Sequence, residues 1–101
     1  MTAFEWDETK RRATIEKHGI DFVDAIIIFL GPHLILPGRS EIEQRFIAVG
    51  ELDGSVIAVV FTQRGDTCRI ITARKARRDE RERYQALHAG RNPSDEGRDR
   101  L

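Results

Sequence analysis

Two β-type runs, Gln44 to Gly50 and Ser55 to Gln63, flank the dipeptide Asp53-Gly54, and this pairing constrains the fold more than any other stretch of the chain. Both linker residues tolerate positive φ, so the segment suits a tight turn between antiparallel strands. A second turn signal, Arg64-Gly65-Asp66, leads into a third run, Thr67 to Ala73. A weaker run, Leu34 to Leu36, stands before the Pro37-Gly38 turn signal, and Arg39 to Glu43 reads as polar loop. The expected fold class is α+β: a compact antiparallel sheet of three to four main strands with N-terminal helices and a C-terminal helix.

The helices are marked by their caps. Phe4 and Trp6 flank Glu5 in the alternation of a short strand, and Asp7 then offers an oxygen to cap a first helix over Glu8 to Lys17. Lys17 and His18 at its end, followed by Gly19, fit the negative pole of the helix and a left-handed closing residue. Its apolar content is thin, which places it on the surface. Asp21 opens a second helix, with Asp24 at a capping-box spacing, Ile20 and Ala25 as a small hydrophobic staple, and Gly31-Pro32 as terminator. Between them Phe22, Val23, Ile26, Ile27, Ile28, Phe29 and Leu30 leave almost no polar face, so this segment is the expected core element. A buried strand is the competing reading of so short a run, and the caps favour helix. Ala76 to Ala89 reads as a third helix with a narrow stripe of Ala76, Tyr84 and Leu87, supported by the pairs Asp79 with Arg83 and Arg78 with Glu82.

With 101 residues, 40% of them apolar, the chain has room for one core. We expect a single domain over residues 1–89 and a disordered tail over 90–101, where the sequence turns polar. The one cysteine, Cys68, leaves no internal disulfide and no cysteine-based zinc cluster, and fits a reducing compartment, with the cytoplasm expected. No apolar run exceeds that of Ala25 to Leu30, far short of the roughly 20 residues of a membrane span. No membrane partner and no cofactor are expected.

Seventeen basic residues balance 17 acidic ones, so any contact with nucleic acid must come from local charge. The place for it is the junction of the last strand with the last helix. From Arg69 to Arg78 the chain carries Arg69, Arg74, Lys75, Arg77 and Arg78 and no acid. Guanidinium forks match phosphate oxygens, which makes RNA phosphate the first candidate ligand. The plainer reading is a solvated face, salt-bridged to Asp79, Glu80 and Glu82. Strict alternation puts Ile70, Thr72 and Arg74 on one face of the strand and Arg69, Ile71 and Ala73 on the other, one arginine to each. Asp7 with Glu8, and Asp21 with Asp24, resemble metal carboxylates, but capping explains both pairs and no metal site is expected.

Three blocks together resemble the BrnT family of bacterial type II toxins: FEWDETKRRATIEKHGIDF over Phe4 to Phe22, the hairpins around LDG and RGD, and RIITARKARRDERERY over Arg69 to Tyr84. Thr72 stands where a serine is common in that last block and keeps the hydroxyl. The resemblance implies a compact fold of the RelE-like kind and a ribonuclease that arrests growth by stopping translation. It also implies a BrnA-type antitoxin that wraps the toxin and carries the part that binds operator DNA, which the toxin reaches only through that complex.

Metal-independent RNA cleavage requires a 2′-hydroxyl to lose its proton, a pentavalent phosphate to be stabilised and a 5′-oxygen to gain a proton. The candidates for this chemistry are Arg74, within the family block at the strand end, with Arg69, Arg64 on the hairpin, and His18, since histidine titrates near neutral pH. Candidates for holding substrate are Lys75, Arg77, Arg78, Tyr84 and Lys17. Each has a structural alternative: His18 as a helix-end cap, Tyr84 as a packing anchor. An alternative function from a different class is a non-catalytic module that binds the antitoxin and tunes repression of its operon.

Overall fold

The computed structural model describes residues 3–89, and the expected tail lies outside them. Five strands form one mixed sheet: β1 (Ala3–Trp6), β2 (His33–Pro37), β3 (Phe46–Leu52), β4 (Ser55–Arg64) and β5 (Thr67–Lys75), in the order β1-β5-β4-β3-β2. Three α-helices accompany it: α1 (Glu8–His18), α2 (Phe22–Ala25) and α3 (Arg78–Ala89).

The turn chemistry acts as its residues dictate. Asp53 (φ 51°) and Gly54 (φ 83°) close the β3–β4 hairpin, and Gly65 (φ 60°) sits in the β4–β5 turn. Asp7 Oδ1 accepts the Thr9 and Lys10 amides at 2.8 and 3.3 Å, and Gly19 (φ 71°) ends α1 in the left-handed conformation. Only Thr14 of α1 is buried, as a surface helix requires.

Four expectations are corrected. The sheet has five strands rather than three or four, and it is not a pure meander. The N-terminal strand β1 lies parallel to β5, with Phe4 opposite Cys68 and Trp6 opposite Ile70. That pairing buries both aromatics against the core, a gain that no local periodicity signals. The expected second helix is one α-turn, α2, followed by a 3₁₀ turn, Ile26–Phe29. Three consecutive β-branched isoleucines favour neither a long α-helix nor burial all round. Only Phe22, Ala25 and Ile28 are fully buried there, while Val23 and Ile27 are half exposed and Leu30 is largely exposed. The last helix begins at Arg78 rather than Ala76, because Ala76 still donates its amide to Val56 O as an extension of the sheet.

The core has two parts, one on each face of the sheet. On one face Phe22, Ala25 and Ile28 pack on Ala48, Ile57, Val59, Phe61, Cys68, Ile70 and Ala73. Phe29 links this layer, lying 5.4 Å from Phe4 and 5.3 Å from Phe61 between ring centres. The other face carries Leu36, Val49, Ala76 and Tyr84, so α3 is seated through its tyrosine.

The fourth correction concerns β5. Val60 pairs with Thr72, but the next residue of β4, Phe61, pairs with Ile70, so Ile71 is an extra residue without a partner. Such a bulge inverts the alternation beyond it. Cys68, Ile70 and Ala73 therefore share the α2 face, and Arg69, Thr72 and Arg74 share the face that bears α3. Both arginines are on one side of the sheet.

Gly50 is fully buried where the 3₁₀ turn meets β3, and a Cβ there would stand 2.8 Å from Ile28 Cβ. Gly50→Ala is expected to destabilise the fold by about 1–3 kcal/mol through overpacking. Urea denaturation measures this: the midpoint should fall, and an unchanged midpoint would show that Ile28 moves aside freely.

Candidate functional site

A cleft of about 510 Å³ opens on the α3 face of the sheet. Ile47, Val60, Thr72 and Arg74 come from the strands, Arg77, Asp79, Glu80 and Arg83 from the start of α3, and Gly38, Arg39 and Arg45 from the β2–β3 loop. Five guanidiniums thus face two carboxylates in a chain whose net charge is zero. The loop is held by the Gly38 amide donating to Arg45 O at 2.8 Å and by Ser40 Oγ accepting the amides of Ile42 and Glu43. Thr62 anchors it to the sheet by donating its hydroxyl to Gln44 O at 2.8 Å.

The arginines differ in how they are paired. Arg74 is clamped by Glu80: Nη1 donates to Oε1 at 2.8 Å and Nη2 to Oε2 at 3.0 Å. The same Oε1 accepts the Arg77 amide at 2.8 Å, so Glu80 also satisfies a free N–H at the start of α3. Side-chain exposure is 16% for Arg74 and 5% for Glu80, which makes this the most buried ion pair among the described residues. Hydrogen bonds from Arg74 hold the Glu80 carboxyl below its ordinary value, against desolvation and with help from the Arg77 amide and both guanidinium charges.

Arg45 touches Glu43 at 3.6 Å, and its buried Nε has no hydrogen-bond acceptor. Arg39, Arg77 and Arg83 form no side-chain ion pair among the described residues. The cleft therefore presents guanidiniums outside ion-pair distance of any described carboxylate around one that is fixed in place.

A smaller cavity adjoins the cleft. It is lined by Lys10, Ala13, Thr14, Lys17 and His18 of α1 and shares Ile71 and Thr72 with the cleft. β1 stops opposite Ile70, which leaves the edge of β5 beyond that point to α1. The half-buried His18 and exposed Lys17 thus stand across Thr72 from the arginines.

The structure divides the residues singled out from sequence. Arg74 and Arg77 line the cleft, with His18 and Lys17 in the adjoining cavity. Arg69 and Arg64 lie outside the cleft lining, on the same face, joined through Glu5 Oε2 at 3.1 and 4.0 Å. Lys75 is opposite Ile57 on the other face. Arg78 is exposed and bonded to Glu82 at 3.0 Å, the helical pair the spacing calls for, whereas Asp79 and Arg83 form no ion pair with each other. Tyr84 is buried in the second core, which raises its phenol pKa, with the charge of Glu51 adding to the effect.

Arg39, Arg45, Thr72, Asp79, Glu80 and Arg83 are the polar lining residues that sequence reasoning did not select as site residues. Arg39 and Arg45 are remote in sequence from the cationic junction, and only the loop's return to the sheet brings them in. Among the described residues no group of three or more His, Cys, Asp or Glu side chains is placed to hold a metal ion.

Fold and cleft together define a small mixed α+β protein with an arginine-lined groove on the α3 face of its sheet. The family model described as the ribonuclease toxin BrnT of type II toxin-antitoxin systems matches residues 6–80. The crystal structure of the Brucella abortus ribonuclease toxin BrnT is similar over 77% of this chain and 100% of that one, with 34% identity and a TM-score of 0.64. No curated protein matches. The chain belongs to the BrnT family of ribonuclease toxins of type II toxin-antitoxin systems. Membership carries with it an RNA target and an antitoxin partner. No described helix is long and apolar enough to cross a membrane.

Because its folded-state pKa is depressed, Glu80 contributes stability that is complete above its ordinary value of 4.5 and is lost as pH falls below it. Thermal denaturation across the acid range should show a shallower decline for Glu80→Gln than for the wild type.

Proposed function

We propose that this toxin is a metal-independent endoribonuclease that cleaves RNA in the cleft between α3 and the sheet, arresting translation and growth in the cytoplasm. A BrnA-type antitoxin neutralises it by laying an acidic or amphipathic segment over that cleft, and only their complex meets operator DNA. The observation that carries this reading is the convergence of Arg39, Arg45, Arg77 and Arg83 on Arg74, with His18 across Thr72.

The chemistry follows from what the groups can do. The 2′-oxygen attacks phosphorus, the bond to the 5′-oxygen breaks, and a 2′,3′-cyclic phosphate and a 5′-hydroxyl result. One proton leaves the 2′-hydroxyl and one reaches the departing 5′-oxygen. Arg74 stabilises the dianionic phosphorane, since a fixed cation in a partly dry site pays no reorganisation as the charge grows. Arg77, Arg39 and Arg83 hold the non-bridging oxygens and the adjacent phosphates. Arg45 adds its positive charge to the loop side of the cleft, with its Nε 3.6 Å from Glu43. His18 serves one of the two proton transfers, with Lys17 beside it for the backbone. Arg69 and Arg64, restrained by Glu5, guide flanking phosphates along the same face.

Inducing the chain without its antitoxin, beside Arg74→Ala, tests this reading through growth and new RNA ends. Growth arrest with new ends in the wild type alone is the expected result. Purified Arg74→Ala should cleave at least about 100-fold more slowly, as for loss of a transition-state donor, while complex formation with the antitoxin persists. Wild-type protein that accumulates without arrest or new ends would leave the non-catalytic binding module as the correct reading. Chelator should leave cleavage unchanged; loss of cleavage on chelation, restored by magnesium, refutes metal independence. Joint replacement of Arg39 and Arg83 by alanine should raise KM more than it lowers kcat and flatten the salt dependence of RNA binding, in keeping with lost phosphate contacts.

A further inference from the structure

Arg74 is the most tightly held of the cleft arginines, and the way it is held bears on what remains for substrate. A guanidinium has five N–H donors. Glu80 takes one from Nη1 and one from Nη2, and Lys75 O accepts a second from Nη1 at 3.4 Å. Nε–H and the second Nη2–H are left. These two lie parallel on the side edge of the guanidinium, the fork that meets two oxygens of one phosphate. Glu80 thus occupies the end of the group and leaves its side available.

The carboxylate is itself fixed from a second direction. Its Oε1 accepts the Arg77 amide, so it cannot turn without uncapping α3. A strand residue and a helix start are thereby tied to one buried anchor, with Arg74 at the end of β5 and Arg77 at the head of α3, both in the cleft lining.

We propose that Glu80 is a positioning residue for RNA cleavage, which grips the end of the Arg74 guanidinium and holds its side fork ready for the scissile phosphate. The proposal rests on the ribonuclease reading above. Glu80 does not touch substrate; it acts through Arg74.

A double-mutant cycle separates this from a purely structural helix cap. Purified Glu80→Ala, Arg74→Ala and the double variant are compared with wild type for kcat and KM on an RNA substrate, and each is checked for folding by circular dichroism. Glu80→Ala should lower kcat about 10- to 100-fold with little change in KM, the scale expected when a catalytic group is misplaced. In the Arg74→Ala background the same change should alter kcat less than about twofold, because the group it positions is already gone. A structural cap would cost stability equally in both backgrounds, and losses in kcat that multiply across the two sites overturn the proposal. Should Glu80→Ala fail to fold, Glu80→Gln replaces it throughout, since it keeps the shape and one acceptor while losing the charge. NMR of the Arg74 Nη protons provides a readout independent of cleavage. Separate signals in wild type that collapse to an average in Glu80→Gln support the positioning role; signals that stay separate overturn it. An inactive wild type with collapsing signals would refute the ribonuclease reading while the grip on Arg74 stood.

Discussion

A single unpaired residue in β5 governs the geometry of the site. Ile71 has no partner on β4, and its insertion turns the strand so that Arg69, Thr72 and Arg74 share the face beneath α3. Without the bulge, Arg74 would follow Ile70 and point into the apolar layer of Phe22, Ala25 and Ile28. An isolated guanidinium there would meet a desolvation cost that no neighbour could offset. The bulge avoids this and leaves Ile70 and Ala73 in the core on either side of it. It also places Thr72 and Ile71 where the cleft and the cavity beside His18 meet.

Charge in this protein is organised by pairing rather than by amount. The belt Arg45, Glu43, Arg64, Glu5 and Arg69 alternates sign along the surface, so its members restrain one another. Beside it, Arg39, Arg77 and Arg83 form no side-chain ion pair among the described residues and add positive charge to the cleft. Arg74 is different again, since its buried carboxylate fixes its orientation without occupying all of its donors. A neutral chain can in this way present a focused positive groove, which suits a target recognised by its phosphates and limits nonspecific adhesion elsewhere.

Much of the fold was legible in the chain because it rests on local chemistry. Asp7 and Gly19 bound α1, Asp53-Gly54 turns the first hairpin, and the three main strands follow their β-type runs. What eluded local reading depended on distant partners. β1 is a strand of four residues whose place beside β5 is set by the burial of Phe4 and Trp6. The isoleucine run gave a helix with the right start, but its continuation was decided by the space over Gly50, where Ile28 packs in place of a side chain. The bulge has no signature in Arg69–Ala73, since Ile70 and Ile71 are equally apolar and only the packing against β4 selects which one is buried.

The site divides along the same line. Sequence by itself determined that the strand-to-helix junction is cationic, that a histidine closes the first helix and that the blocks around both belong together, because these are properties of neighbouring residues and of family pattern. Tertiary structure alone decided which cations converge. It brought Arg39 and Arg45 in from a distant loop, sent Lys75 to the other face, used Tyr84 as the anchor of α3 and committed Arg74 to Glu80. The physical reason is that charge is a property of composition, whereas the availability of a charge depends on direction, burial and partners, which exist only once the sheet has set its register.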